Sequence, residues 1–337
     1  MILSASRRTD IPAFYSEWFY NRLKEKFIYV RNPMNIHQVS KIPLTPENID
    51  CIVFWTKDSE PIHKYLPMID DMGYKYYFQF TITPYDKDME SDIRDKKAII
   101  DTFTALSEKI GKEKVILRYD PIFTTDKGKY TLEFHTRAFE RLCGKLHNMT
   151  DRVVISFLDG YRKIAKNVKE FHIQEPDERL MNDIAENFSA ITSKYGLSLE
   201  TCAEKIDLVK FGINHSKCID GELIEKIIGC KLARTNKNGK ELKDGERAFC
   251  GCMKCIDIGQ YDTCIHGCSY CYATVNKNKA IENNGIHNPL SPFIMGYLNE
   301  ETDKVTIRNE KDTRSMKENM NKNVKQKNIT DFLQTND

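Results

Sequence analysis

Three cysteines lie close together in the stretch Asp262–Ala273, which reads DTCIHGCSYCYA. Cys264, Cys268 and Cys271 follow the spacing C-x3-C-x2-C, which places three thiolates on one short loop. A cuboidal iron–sulfur cluster has four irons and is usually held by four cysteines. Three cysteines therefore leave one iron with an open position, which is the feature that separates catalytic metal sites from closed structural ones.

Structural zinc is the main alternative for this triplet. Zinc modules usually carry two ligand pairs, often C-x2-C followed by a second C-x2-C or by a histidine pair. The C-x3-C-x2-C spacing fits that arrangement poorly. The sequence therefore favours an iron–sulfur cluster over zinc or unrelated thiols.

The triplet resembles the signature of the radical S-adenosylmethionine (SAM) enzymes, which have an aromatic residue before the third cysteine, as Tyr270 is here. The resemblance implies that the amino and carboxylate groups of SAM chelate the open iron. It also implies that an electron from the cluster cleaves SAM to methionine and a 5′-deoxyadenosyl radical, which abstracts hydrogen from a substrate. A reductant such as flavodoxin or ferredoxin would supply that electron. In most of the family the triplet lies near the N-terminus, whereas here it lies near residue 270 of 337.

The composition limits the classes of protein that the chain can belong to. The 337 residues suit one large domain or two small ones, and 40% hydrophobic residues are enough for a sizeable core. A formal net charge of +2 leaves any nucleic-acid contact to local patches. We expect no signal peptide and no membrane span, because no apolar stretch approaches ~20 residues. Eleven cysteines then favour metal or redox chemistry in a reducing compartment, the cytoplasm or a eukaryotic nucleus.

Four further cysteines are candidates for a second metal site: Cys202, Cys218, Cys250 and Cys252. Four thiolates could close a second [4Fe–4S] cluster, and Cys255 or His215 could substitute as a ligand. A zinc site and unliganded thiols are the alternatives. A fully ligated cluster would relay electrons or order the loop over residues 203–250, and one with an open iron could hold substrate.

Apolar runs alternate with helical patterns along most of the chain. Continuous apolar runs such as Cys51–Thr56 (CIVFWT) and Tyr76–Thr83 (YYFQFTIT) predict strands that are buried on both faces of a parallel sheet. Helical spacing of apolar residues predicts helices between them, as in Thr131–Leu146 and Asp177–Tyr195. About seven such units with right-handed crossovers predict an α/β fold, a full or partial TIM-like barrel.

The strand that leads into the triplet, Cys255–Tyr261, is the last one predicted. The first and last strands of a barrel are neighbours in space. We therefore interpret the chain as a circularly permuted radical-SAM barrel over residues 1–298, with a cysteine-rich insertion at about 202–255. Helices are also predicted over Ala13–Lys26, Pro61–Met72 and Glu90–Ile110.

Polar side chains recur where the predicted strands end, which is where such barrels place their chemistry. Gln79 and Arg118 interrupt runs that are otherwise apolar, and a buried polar or charged group needs a partner. A SAM carboxylate, a ribose or a substrate would serve, and guanidinium groups suit anions. Helix caps and salt bridges are the alternative. The candidate cofactor-binding residues are Arg7, Arg8, Lys57, Gln79, Arg118, Asp120, Glu200 and Tyr270.

Longer segments resemble one uncharacterised bacterial family that carries the radical-SAM triplet at its C-terminal end. The segments are SASRRTDIPA, CIVFWTK, YYFQFT, ILRYDPI and CGC…DIGQYDTCIHGCSYCYA, and the resemblance covers most of residues 1–298. That family is distantly similar to spore photoproduct lyase and to related proteins called DNA repair photolyases. The resemblance implies a cluster, SAM and a barrel, and it implies no particular substrate.

The chain turns polar at residue 299, and we predict a disordered tail over residues 299–337. Five basic residues and one acidic residue lie between Arg314 and Lys327. Four residues near the end resemble the sliding-clamp-binding box of clients of proliferating cell nuclear antigen: Gln326, Ile329, Phe332 and Leu333. A short anchor on a flexible tether can fold on binding. The alternative is a solvated tail that happens to contain a phenylalanine.

The function that the sequence favours is radical-SAM chemistry on a nucleic-acid base or lesion, as in DNA repair or modification. A base inside a duplex would have to be extruded to reach the mouth of the barrel. One alternative is a small metabolite or peptide substrate, which the near-neutral charge favours. Another is a non-enzymatic iron–sulfur redox sensor or electron carrier. Salt-dependent DNA binding separates the first two, and SAM cleavage separates both from the third.

Overall fold

The structure is a computed structural model that describes residues 1–126, 128–160, 162–235, 240–243, 250–308 and Lys317. Its strands are β1 (Ile2–Ala5), β2 (Phe27–Asn32), β3 (Asn35–Pro43), β4 (Cys51–Thr56), β5 (Tyr76–Thr81), β6 (Val115–Ile122), β7 (Thr124–Thr125), β8 (Arg152–Phe157), β9 (Ile173–Gln174), β10 (Ser198–Thr201), β11 (Asn214–His215), β12 (Ile256–Asp257) and β13 (Lys304–Ile307).

Eight of these strands form one sheet in the spatial order β11-β10-β8-β6-β5-β4-β1-β12. Every neighbouring pair in it is parallel. The α/β class and the large parallel sheet that the sequence predicts are therefore confirmed. The described residues contain no backbone pairing between the edge strands β11 and β12, so closure into a barrel stays a prediction.

The helices that follow the strands are α1 (Ile11–Phe14), α2 (Ser16–Glu25), α3 (Leu66–Asp71), α4 (Lys96–Ile110), α5 (Leu132–Leu146), α6 (Ala165–Glu170), α7 (Glu178–Lys194), α8 (Gly221–Ile228) and α9 (Lys277–Gly285). Six of them begin after an N-cap residue whose side chain accepts a hydrogen bond from a first-turn N–H group: Asp10, Asp95, Thr131, Asp177, Asp220 and Asn276. Within the part of the chain that the structure describes, none of the helices is long and apolar enough to cross a membrane.

The two faces of the main sheet are both buried, as expected for a parallel sheet. Alternate residues of β4 and β5, such as Phe54 and Phe78, face the core beneath the helices. The intervening residues Val53 and Tyr77 face a second, smaller core with Cys218 and Cys252. The cysteine-rich segment and α8 therefore pack against this second face of the sheet, which we call the inner face.

Three predicted helices have different bounds in the structure. The helix predicted over Ala13–Lys26 is divided at Tyr15 into α1 and α2. The helix predicted from Pro61 is a 3-10 turn followed by α3. The helix predicted from Glu90 begins at Lys96, since Glu90 forms a β-bridge with Cys268.

The strand predicted over Cys255–Tyr261 is limited to the two residues of β12. The Asp257 side chain accepts hydrogen bonds from the backbone N–H groups of Arg7, at 2.9 Å, and of Gly259, at 3.0 Å. A side chain that caps the backbone two residues further on favours a turn over a continued strand. Even so, β12 pairs in parallel with β1, so the predicted neighbourhood of the first and last strands is confirmed.

The prediction of disorder from residue 299 onwards is wrong for residues 299–308. In this segment β13 pairs in parallel with β3 and extends the hairpin of β2 and β3. An ion pair from Arg31 to Asp303, at 2.8 Å, holds the turn before β13. The clamp-like residues Gln326, Ile329, Phe332 and Leu333 lie outside the described residues, and their role stays a prediction.

Candidate functional site

The three cysteines of the triplet lie on one loop after β12, at the carboxyl edge of the main sheet. Cys264, Cys268 and Cys271 are all half-buried. The loop is closed at its base by a backbone hydrogen bond of 2.9 Å from Asp262 to Ala273. The carboxyl ends of parallel strands are where α/β proteins place their ligands. The structure places the triplet on the segment that follows β12, and β12 pairs with β1, as the sequence predicts.

Burial makes the three thiols reluctant to ionise without a metal ion. It raises the pKa of Cys264, Cys268 and Cys271 above the ordinary value of a thiol. Backbone N–H groups work in the opposite direction, because His266 donates to the Cys264 sulfur and Ala273 to the Cys271 sulfur. The loop therefore provides hydrogen bonds for thiolates that a positively charged metal centre would stabilise.

One buried carboxylate, Asp10, ties the loop to two other parts of the sheet edge. Its Oδ1 accepts hydrogen bonds from the Ala13 backbone at 3.0 Å, which caps α1, and from the Thr56 hydroxyl at 2.8 Å. Its Oδ2 accepts from the Lys57 backbone at 2.7 Å and from His266 Nε2 at 2.7 Å. Asp10 is only 4% exposed, so its charge is stabilised by these four donors rather than by water.

A second buried carboxylate, Glu90, holds the other side of the loop. Its Oε1 accepts hydrogen bonds from Lys57 at 2.8 Å and from Thr83 at 2.6 Å, and also from the Tyr270 hydroxyl. Its Oε2 pairs with Lys96. Burial alone would raise the pKa of Glu90, but the two lysines outweigh it and lower the pKa to about 2.

The Asp10 and Glu90 carboxylates bind the loop on either side of Cys268. His266, held by Asp10, lies two residues before Cys268, and Tyr270, held by Glu90, lies two residues after it. His266 has a second nitrogen, Nδ1, that is buried and has no hydrogen-bond partner among the described residues. A buried polar atom without a partner is a position where a ligand or water would be stabilising.

Lys57 brings a positive charge next to Cys268. Burial opposes the charged ammonium group, but Glu90 and the Cys268 thiolate raise the pKa of Lys57 overall. Its Nζ lies 5.7 Å from the centre of the Tyr270 ring. That ring packs against Tyr85 and Phe123, with ring centres at 5.5 and 5.4 Å. Lys57 and Tyr270 are therefore brought to the triplet, as the sequence analysis predicts.

The other predicted residues divide between the triplet and the inner face. Arg8 pairs with Asp257 of β12 at 3.0 Å, directly before the loop. Arg7 donates to the Cys255 sulfur at 3.1 Å and lies over the Trp55 ring at 5.9 Å.

Arg118 turns towards the second group of cysteines. It donates to the Cys218 sulfur at 3.0 Å and pairs with Asp120 at 2.5 Å. Gln79 joins it by donating to the Cys218 carbonyl at 2.9 Å. Glu200 lies 3.5 Å from Arg152. Arg152 is the first residue of β8 and so lies at the amino edge of the sheet, away from the triplet. Glu200 is therefore not brought to the triplet.

The four cysteines predicted to form a second site come together. The Cys202 and Cys218 sulfurs are 3.0 Å apart, and Cys252 contacts both Cys218 and Cys250. In the described part of the chain, no three His, Cys, Asp or Glu side chains are arranged around one metal-ion position. The sulfurs instead contact one another in a row.

Sequence reasoning missed the residues that hold the loop. Asp10 lies among the polar residues that follow β1, and no sequence pattern marks it as the residue that holds the loop. Glu90 and Lys96 lie within the segment predicted as the helix Glu90–Ile110, and the sequence gives neither of them a role in a site. His266 was the one available signal, since it lies inside the triplet.

The fold and site define a parallel α/β protein with a cysteine loop at the carboxyl edge of its sheet. The model of the family described as "Domain of unknown function (DUF1848)" matches residues 2–273, and the chain belongs to that family. No curated protein matches the chain. A crystal structure from Bacteroides thetaiotaomicron, described provisionally as an alpha-L-fucosidase, is 14% identical and aligns with 56% of this chain and 84% of its own. Its TM-score of 0.26 is too low to support any argument.

We expect Asp10→Asn to loosen the cysteine loop. The carboxylate accepts four hydrogen bonds, and the NH2 group of asparagine would face two of these donors without being able to accept from them. The expected loss in the free energy of unfolding is about 2–3 kcal/mol, with faster hydrogen exchange in the loop Cys264–Cys271. The control is Asp95→Asn, since Asp95 also caps a helix but is exposed, and asparagine caps helices well. Equal losses in the two variants would contradict the role given to Asp10.

We expect the stability of the protein to fall at acid pH because of Glu90. Its pKa in the folded protein, about 2, is below the ordinary 4.5, so its contribution is complete above pH 4.5 and lost as the pH falls through 2. The size is roughly 3 kcal/mol.

Unfolding by urea between pH 2 and 6 measures this contribution. Glu90→Gln should be less stable at neutral pH and should lose much of the pH dependence. Glu108→Gln, on the exposed face of α4, should keep the wild-type profile. Parallel pH profiles for wild type and Glu90→Gln would show that Glu90 is not the group responsible.

Proposed function

We propose that this protein is a radical-SAM enzyme whose iron–sulfur cluster is held by Cys264, Cys268 and Cys271. The observation that carries the proposal is the position of these three thiols, together on one loop at the carboxyl edge of a parallel sheet. Three thiolates leave one iron of a four-iron cluster without a cysteine. The sequence resemblance to the radical-SAM signature supports the same assignment.

The residues around the triplet fit such a cluster. N–H groups of the loop face the Cys264 and Cys271 sulfurs, and the Lys57 ammonium lies beside Cys268. The unpartnered Nδ1 of His266 offers a further polar contact. When bound, the cluster would supply the electron that cleaves SAM and so begins hydrogen abstraction from a substrate.

The protein's own part in this chemistry would be to hold the loop and bind the reactants. Asp10 and Glu90 fix the loop through His266 and Tyr270. Lys57 supplies a positive charge next to the triplet, which suits a carboxylate or phosphate. On the inner face, Trp55 lies under Arg118, which contacts the second group of cysteines, and this is where we place the substrate.

A circularly permuted barrel is the architecture that we propose for this enzyme. Strand β12, which leads to the triplet, comes last in the chain among the strands of the main sheet but pairs in parallel with β1. Moving a strand from one end of the chain to the other leaves its place in the sheet unchanged. The resemblance to radical-SAM proteins, in which that strand comes first, supports this interpretation.

We propose a nucleic-acid base as the substrate. Tyr261, on the same loop as the triplet, has Lys163 at 4.3 Å and Arg8 at 5.7 Å over its ring. An aromatic ring with cations beside it suits stacked bases and phosphates. A small metabolite is the second candidate, because the net charge of the whole chain is only +2.

We expect anaerobically reconstituted wild-type protein to form 5′-deoxyadenosine from SAM with dithionite. Cys268→Ala should abolish this product, because two thiolates hold the cluster poorly. Cys143→Ala, which changes a buried cysteine of α5, is the matched control and should keep the activity. Iron, sulfide and zinc contents are measured alongside. Binding of zinc in place of iron after reconstitution would overturn the proposal.

We expect Lys163→Ala to weaken binding of single-stranded DNA and to reduce the slope of log affinity against log salt by about 0.7. Lys194→Ala is the control, because Lys194 also lies beside an aromatic ring, at 5.3 Å from Tyr195, but at the end of α7 that precedes β10. Fluorescence anisotropy across a salt series measures both. Wild-type binding that is absent or independent of salt would favour the small-molecule candidate.

A further inference from the structure

Four cysteines from separate parts of the chain meet on the inner face of the sheet. Cys202 directly follows β10, Cys218 follows β11, and Cys250 and Cys252 precede β12. The sulfurs contact one another in the order Cys202, Cys218, Cys252, Cys250. Cys218 and Cys252 are 3% and 2% exposed. Cys202 and Cys250 are half-buried, and four converging thiols form the ligand set of closed zinc and iron–sulfur sites.

These cysteines lie between the two open edges of the sheet. Strands β11 and β12 are the edge strands, and no backbone pairing joins them in the described residues. The segments beside them do meet. The Met253 backbone donates to the Ile219 carbonyl at 3.0 Å, and the Ile219 backbone donates to the Cys252 sulfur at 3.3 Å. The four thiols are therefore placed where a bond between the edges would close the sheet.

The central ligand of this group is already fixed by the protein. The Cys218 carbonyl accepts hydrogen bonds from the Tyr77 hydroxyl at 2.6 Å and from Gln79 at 2.9 Å. Arg118 donates to the Cys218 sulfur at 3.0 Å. A guanidinium group beside the sulfur stabilises the negative charge of a thiolate. Little reorganisation of the backbone is therefore needed for Cys218 to bind a metal ion.

We propose that Cys202, Cys218, Cys250 and Cys252 bind a metal centre through four thiolates and that this centre fastens the two edges of the sheet together. The centre is a zinc ion or an iron–sulfur cluster, which share this ligand set. Thiolates that share a zinc ion at about 2.3 Å lie farther apart than the 3.0 Å between the Cys202 and Cys218 sulfurs. The pair must therefore separate as the metal enters.

A consequence concerns the cysteine triplet. Strand β12 has only two residues and leads directly into the loop that holds Cys264, Cys268 and Cys271. A strand this short at the edge of a sheet has little stability of its own. A metal centre at the second group of cysteines would stabilise β12 and, through it, the position of the triplet loop. This dependence rests on the function proposed above, whereas metal binding by the four cysteines does not.

The deciding experiment uses the full chain with all three triplet cysteines changed to alanine, so that only the second group can bind metal. The variant is reconstituted separately with zinc alone and with iron and sulfide, and the metal content is measured. We expect about one zinc or about four irons per chain. Either result supports the four-thiolate centre, and the metal that is retained after dialysis against a weak chelator identifies it.

Hydrogen exchange at Ile256 and Asp257 tests the fastening in the same variant. A metal present at about a hundred times its dissociation constant should slow exchange at β12 about a hundredfold relative to the chelated protein. Exchange in α5 is the internal control and should change much less. Absence of bound metal, or exchange at β12 that does not respond to metal, would overturn the proposal.

A second variant tests the dependence of the triplet on this site. Cys202→Ala with Cys252→Ala should lose iron at the triplet as well, whereas Cys143→Ala should retain the wild-type content. If the double variant binds four irons and β12 still exchanges its amide hydrogens slowly, the triplet does not depend on the second site. If the double variant does not fold, the triplet variant with and without metal still decides the proposal. Failure of wild-type protein to cleave SAM would count against the enzyme and not against this site.

Discussion

The Asp10 carboxylate is the interaction on which the geometry of the site depends. It accepts four hydrogen bonds, which come from the start of α1, the end of β4 and the loop of the cysteine triplet. An isolated charge at this depth would be strongly unfavourable, so the donors and the carboxylate must be placed together. The position of the loop relative to the sheet is therefore fixed by electrostatics as well as by packing.

Glu90 complements Asp10 from the opposite side of the loop. It balances two lysines and accepts the Tyr270 hydroxyl, while Asp10 accepts His266. Cys268 lies midway between these two attachment points in sequence. Both carboxylates have all their oxygens paired with donors, and buried polar networks of this kind are rigid and favour one arrangement. In the enzyme proposed above, this rigidity would keep the bound cluster at a fixed position against the inner face of the sheet.

The inner face of the sheet joins the two groups of cysteines. Arg118 contacts the Cys218 sulfur at one end and Asp120 at the other, and the Asp120 charge acts in turn on Lys57 beside Cys268. Trp55 lies under Arg118, at 5.3 Å. Arg118 and Asp120 therefore link the second group of cysteines electrostatically to Lys57 beside the triplet.

The sequence by itself determined the local features of this protein: the spacing of the triplet, the buried strands such as Cys51–Thr56 and the capped helices such as Leu132–Leu146. These features depend on residues a few positions apart, so a linear pattern encodes them. The tertiary structure alone decided that Glu90 meets Tyr270 and that Asp10 meets His266, across 180 and 256 residues. It also decided that β12 is short and that residues 304–307 form a strand. No local pattern encodes such contacts, because they arise only when the sheet brings distant segments together.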